Sequence, residues 1–385
     1  MTSKQRFLTT IKGGKADRLP VTTHHVMPYF LNKYMNGISS DEFFDYFGMD
    51  KIPWTVPHKP DESKGLYYDP THQDTGFLDS RRICSDHWRF SSEKLPDDQY
   101  ETYRFTITTP KGELTTVRQG NEMTSWVSEH VIKEKKDIDL LEEFMTTPSC
   151  DVEAVNRTVD EYGESALIRG HIPVFDIFGQ PGTWQDACCL VGTEKMIMST
   201  FDDPKWVHRL LKMLQKRKID FLKTTVGVKY DLWELGGGDA STTVISPSLF
   251  NEFVAPYDAE IIAAAHQAGQ RIVYHTCGGM MPILEDIAAM GPDAMETFTP
   301  PQMGGDTDLA EAKKRIGDKV CMIGGWDQFH YFKDCTEQEV RKQVRSCFDQ
   351  AGGGGGYILA PSDHFFDADI NLIKAFADEA RKCVY

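Results

Sequence analysis

A closed (β/α)8 barrel is the fold this sequence predicts, and two observations predict it. From about residue 165 onward, short strand-like runs alternate with helix-like runs through brief connections. Such alternation implies parallel strands joined by crossover helices. Polar and metal-competent residues also recur at the carboxyl ends of these strands, where barrels of this kind carry their chemistry.

The elements follow in order. An early strand at 19–23 ends at His24-His25. Residues 166–171 read as the next strong strand, with His171, Asp176 and Gln180 beyond it. A long helical stretch at 193–226 is broken near Asp203-Pro204. Strand 230–235 runs into Gly236-Gly237-Gly238. Ser246-Pro247 then opens a helix, because proline suits the first helical position. Leu249, Phe250, Phe253, Val254, Tyr257 and Ile261 recur through it at helical spacing. Strands at 271–275, 293–298, 319–324 and 357–361 alternate with helices at 280–290, 307–316, 336–350 and 369–382, which brings the strand count close to eight.

Residues 50–130 break this rhythm. The alternating runs 100–109 and 114–118, separated by Pro110-Lys-Gly-Glu113, read as a β-hairpin. The region is expected to be an antiparallel insertion or lid near the barrel's amino end, within one domain covering 1–385. The run Gly352 to Gly356 precedes a strand and lacks the Gly-Lys-Ser/Thr of a phosphate loop, so it reads as a flexible turn.

The bulk numbers exclude several classes. With 42 basic and 58 acidic residues the net charge is -16, a poor platform for nucleic acid. No run of roughly 18 apolar residues is present to span a membrane. The opening Met1 to Arg6 lacks the apolar region of a secretory signal, and the nine cysteines are scattered and odd in number. Both features predict a cytoplasmic protein with reduced thiols.

His275 and Cys277 carry the strongest chemical signal. At the end of a strand, positions i and i+2 share a face, so an imidazole and a thiol converge there. Both are donors that zinc accepts. Taken alone, a His-x-Cys also fits a buried Cys beside a hydrogen-bonded His. Glu296 lies in an apolar run where a carboxylate is costly to desolvate; it reads either as a metal ligand or as an acceptor that orients His275. Asp363 or His364, at the end of the last strand, can close a metal sphere, while Ser362 and Asp363 also suit a turn. Asp239 and Asp327 are the candidate acid–base groups. His24, His25, His364, Gln328, Trp233 and Trp326 are candidates for contact with substrate. Capping or core packing is the plainer role for the aspartates and tryptophans.

The series Lys15-Ala-Asp-Arg-Leu-Pro-Val21, His275-Thr-Cys-Gly-Gly279, Gly324-Gly-Trp-Asp-Gln328 and Gly355-Gly-Tyr-Ile-Leu-Ala-Pro361 resembles the uroporphyrinogen decarboxylase superfamily. The resemblance implies a (β/α)8 barrel and covers most of the chain outside 50–130. One branch of that superfamily decarboxylates a macrocycle bearing eight carboxylates and carries an arginine-rich segment after the first strand. Here Val26 to Met35 takes its place, and no arginine occurs between Arg18 and Arg81. Losing bidentate guanidinium partners is not conservative. The other branch contains zinc methyltransferases that work with corrinoid proteins, together with cobalamin-independent methionine synthases. Their His-x-Cys ligand motif matches His275 and Cys277, and Glu296 falls near their glutamate ligand. Their last-strand Cys is replaced by Asp363.

The resemblance therefore implies a zinc-dependent methyltransferase acting on a small methylated or methoxylated donor. A corrinoid (cobalamin) would arrive on a separate protein, because this chain lacks the Asp-x-His-x-x-Gly signature. A less thiolate-rich zinc sphere behaves more as a Lewis acid, which favours the methyl-donor half of the reaction. Two rivals stand beside it. One is a decarboxylase of a smaller carboxylated substrate using Asp239 or Asp327; the other is a non-catalytic barrel that binds a tetrapyrrole or corrinoid. A homodimer stays open.

Overall fold

The computed structural model describes residues 1–72 and 81–385; the part of the expected insertion at 73–80 lies outside them. Six parallel strands stand side by side in chain order: β1 (Arg169–His171), β2 (Leu232–Gly236), β3 (Ile272–His275), β4 (Ala294–Thr297), β5 (Cys321–Trp326) and β6 (Tyr357–Pro361). All of their residues are buried except Gly325, as expected for parallel strands covered on both faces.

Two short extended segments close the ring. Val21 bridges Leu359 of β6 in parallel, with Thr22 N–H donating to the Leu359 carbonyl at 3.0 Å. Asp50 N–H donates to the Val21 carbonyl at 2.8 Å. Lys51 and Trp54 then bridge Ala166 and Arg169 in parallel. The result is an eight-stave barrel, as the strand–helix alternation predicts. Residues 50–55 are therefore a barrel stave and not the start of the insertion, which corrects the expected boundary.

Charge fixes the seam between the first two staves. The Asp50 carboxylate, fully buried, accepts from Arg6, from both terminal nitrogens of Arg18, and from Val21 N–H. Asp17 in turn pairs with Arg6. The Lys15-to-Val21 motif is thus a structural clasp. The amino-terminal helix Ser3–Ile11, closed by a Thr2/Gln5 capping box, supplies Phe7 and Ile11 to the barrel interior. They pack there beside Leu232, Ile323 and Ile358 and leave only about 10 Å³ of space.

The insertion follows the second stave. Its sheet is an antiparallel meander of Arg89–Lys94, Glu101–Thr109, Gly112–Gly120 and Ser125–Glu129. The hairpin falls where the alternating sequence puts it. Phe105, Ile107 and Leu114 are buried and join the same apolar cluster as the barrel core. The helical stretch after β1 divides into Thr193–Asp202 and Pro204–Leu222, broken at Asp203. An additional helix, Thr183–Val191, precedes it. Among the described residues, no helix is long and apolar enough to cross a membrane.

Candidate functional site

A cavity of about 550 Å³ opens at the carboxyl ends of the strands. Residues from both closing staves and from the ends of β1, β2, β3 and β6 line it, including His24, His25, Trp54, His171, Glu234, Asp239, His275, Cys277, Asp363 and His364. This is the mouth at which barrels of this kind carry catalytic groups.

Beneath it lies a buried charge network. Arg169 projects from β1 and is 1% exposed. One of its terminal nitrogens donates to Glu296 at 2.8 Å, and the other donates to both Glu296 and Glu234. Its guanidinium carbon sits 4.3 Å from the Trp54 ring centre. Burial would raise both glutamates, but the Arg169 charge and the neighbouring imidazoles hold them below the ordinary carboxylate range. Strand register builds this layer: Glu234 lies beside His171, and His275 beside Glu296.

Two histidines stand on the network. His24 Nε2 donates to Glu234 at 2.9 Å, and His275 Nδ1 donates to Glu296 at 2.9 Å. Their rings stack with centres 4.8 Å apart. With Nδ1 fixed on Glu296, the other nitrogen of His275 is left for Cys277 and the cavity. Burial opposes charge on His275, yet hydrogen bonds to Cys277 and Glu296 push its pKa well above the usual imidazole value. Burial pushes the pKa of His24 and His25 down, against the pull of Glu296 and Glu234 on His24. Gly238 allows this arrangement: a Cβ there would lie 2.7 Å from Cys277 Sγ.

The candidates from sequence divide cleanly. His275, Cys277, Asp363, His364, His24, His25 and Asp239 all line one cavity. Asp239 also accepts from the Thr193 hydroxyl at 2.9 Å. Asp363 accepts from His364 Nδ1 at 2.6 Å, and that contact with the nearby imidazoles holds its carboxyl low against the effect of burial. Glu296 accepts from Arg169 on both of its oxygens and from His275 on one. These contacts fit the orienting role the sequence offers for it, and Glu296 also belongs, with His24, Glu234 and His275, to a buried group whose donor atoms lie within 4.8 Å of one another.

Four expectations are corrected. Trp233 faces away from the cavity; its Nε1 donates to Gln270 and its ring packs on Tyr230 and Phe221. Trp326 is buried against Phe376, Tyr331 and Phe332. Asp327 caps the short helix Gln328–Tyr331, accepting from His330 N–H at 3.0 Å, and lines a separate groove with Phe329 and Gln343. Gln328 is fully buried and braces the last loop, accepting from Ser362 N–H and donating to the His364 carbonyl. The Gly324 backbone is approached by Thr297, whose carbonyl oxygen would lie 2.2 Å from a Cβ there.

Arg169 and Trp54 were not among the expected site residues. Arg169 carried a readable signal, since alternation puts it on the same face of β1 as His171.

The family model for uroporphyrinogen decarboxylase (URO-D) matches residues 114–383. The chain belongs to this family. Among curated URO-D relatives, the uroporphyrinogen decarboxylase of Psychromonas ingrahamii is 27% identical over 240 residues, covering 58% of this chain and 62% of that one. That of Colwellia psychrerythraea is 29% identical over 221 residues, covering 53% and 57%. The chain thus spans about three fifths of the length of these relatives. Among solved structures, a methyltransferase from Methanosarcina mazei superposes with a TM-score of 0.63 at 14% identity, over 99% of both chains. This likeness is one of fold.

Thiol chemistry in this URO-D barrel should be selective. All nine cysteines are free. Burial pushes Cys150, Cys321 and Cys347 up to about 12, so their reactive thiolate is scarce at pH 8. Brief alkylation of the native protein, mapped by mass spectrometry, should modify the half-buried Cys277 and leave those three intact. Equal labelling of all four would contradict the packing described.

Proposed function

We propose that this barrel is a zinc-dependent methyltransferase that moves a methyl group from a small methylated or methoxylated compound to a corrinoid carried by a separate protein. The observation that carries the reading is the His275–Cys277 pair. The imidazole is fixed through Nδ1 by Glu296 and presents its other nitrogen with the thiol to the cavity. A carboxylate-oriented histidine is the usual arrangement around a zinc ligand, and the nitrogen and sulfur donors suit that ion. Asp363 lines the same cavity, and we assign it the role of third donor.

When bound, zinc supplies a Lewis acid that polarises a heteroatom of the methyl donor. The chain's own groups do the rest. Glu296 fixes the His275 tautomer, and Arg169 offsets the charge of Glu296 and Glu234. Trp54 and His171 form cavity wall against which a small apolar group can rest. Asp239 is the polar group positioned to hold the donor. The carboxylates of Asp239 and Asp363 line this cavity, and among the described residues it has no arginine or lysine in its lining to hold a polycarboxylate.

The curated relatives' names support a second reading, decarboxylation of a smaller carboxylated substrate. Zinc-loaded protein mixed with free cob(I)alamin and a panel of methylated and methoxylated compounds separates the two. Methylcobalamin is expected to form with at least one donor. Release of CO2 from a carboxylated substrate, with no methyl transfer across the panel, would overturn the proposal. A further expectation concerns Glu296→Gln, which loosens His275 and should weaken zinc binding about 10–100-fold in a chelator competition.

A further inference from the structure

Three imidazoles at the cavity have no part in the reading above. We infer that His24, His25 and His364 form a second site for a divalent transition-metal ion, separate from the His275–Cys277 pair. One nitrogen from each lies within 4.8 Å of the other two. Their ring centres are 4.1, 4.9 and 5.3 Å apart. Three imidazoles around one tetrahedral ion, with metal–nitrogen distances of about 2.0–2.1 Å, hold their ring centres roughly 5 Å apart.

Two independent features point the same way. His24 spends Nε2 on Glu234, and its Nδ1 is buried with no hydrogen-bond partner. A buried polar atom left unpaired calls for an explanation, and an unseen ion is one. The second feature is orientation. His24 is held by the Glu234 carboxylate, and His364 Nδ1 by Asp363 at 2.6 Å. Both thus have the carboxylate–imidazole–metal arrangement, with the opposite nitrogen left as donor.

Three imidazole nitrogen donors select zinc, cobalt or nickel over magnesium or calcium. Three histidines with an open fourth position also match the make-up of a catalytic zinc site. The open position would face the cavity, where an oxygen or nitrogen of a substrate can occupy it. The inference does not depend on the identity of the reaction.

The test is cobalt titration of the chelator-stripped protein, with bound metal counted after gel filtration. Wild type should bind two Co(II) per chain. The double variant H25Q/H364Q should bind one and keep the thiolate-to-cobalt absorption in the near ultraviolet. Cys277→Ser should also bind one but lose that band. His364→Gln alone, at a half-buried side chain, gives a milder substitution whose fold circular dichroism can verify; it too should cost one ion. If wild type binds a single ion and the histidine variants keep it with an unchanged band, the second site is overturned. If Cys277→Ser keeps every ion while the histidine variants lose one, the histidine site stands and the reading of His275–Cys277 falls.

Discussion

Replacing Arg169 by alanine should lower the stability of this barrel by about 3–5 kcal/mol, the range for breaking a buried ion pair from one side. The loss comes from what remains. Glu234 and Glu296 are both buried, and each relies on the guanidinium for its charge. Without Arg169 the two carboxylates face each other and two histidines in a place largely closed to water. Lysine is a poor substitute, because one ammonium cannot match the fork that engages both oxygens of Glu296. Adding Glu234→Gln and Glu296→Gln to an Arg169→Met background should recover much of the loss, since a neutral cluster has no stranded charge. Urea unfolding measures both effects. A cost under about 1 kcal/mol for Arg169→Ala would mean that charge does not hold this layer together.

The second large effect is on chemistry. Cys277→Ser should reduce methyl transfer by at least about 100-fold, the upper range for disturbing merely an outer partner of a metal ligand. It should leave the fold intact, because Cys277 is half-buried at the cavity wall and serine nearly matches its volume. An unchanged unfolding midpoint with lost transfer separates this outcome from misfolding. Retained transfer would remove Cys277 from the site.

How much of this was readable in the sequence depends on periodicity. Strands β2 to β6 are largely apolar, and β1 follows the apolar run Ala166-Leu-Ile168, so their alternation with helices is plain. The stave at 50–55 is not: it contains Pro53, is short, and is held by two isolated bridges and backbone bonds to its neighbours. Helix Thr183–Val191 is buried almost all round, so no amphipathic stripe marks it.

Within the site, the His275/Cys277 spacing could be read because the two groups lie on one strand. The partnership of Arg169 with Glu234 and Glu296 could not, because it depends on the register of three strands far apart in sequence. The tryptophans show the opposite lesson. Glu234 faces inward, so its neighbour Trp233 must face the helices, and strand parity alone would have removed it from the substrate contacts.

Zinc-edge X-ray absorption on the metal-loaded protein tests the central claim most directly. A sulfur neighbour at about 2.3 Å beside nitrogen or oxygen at about 2.0–2.1 Å, with the sulfur lost in Cys277→Ser, is the predicted result. A spectrum of nitrogen and oxygen alone, identical in wild type and variant, would contradict it.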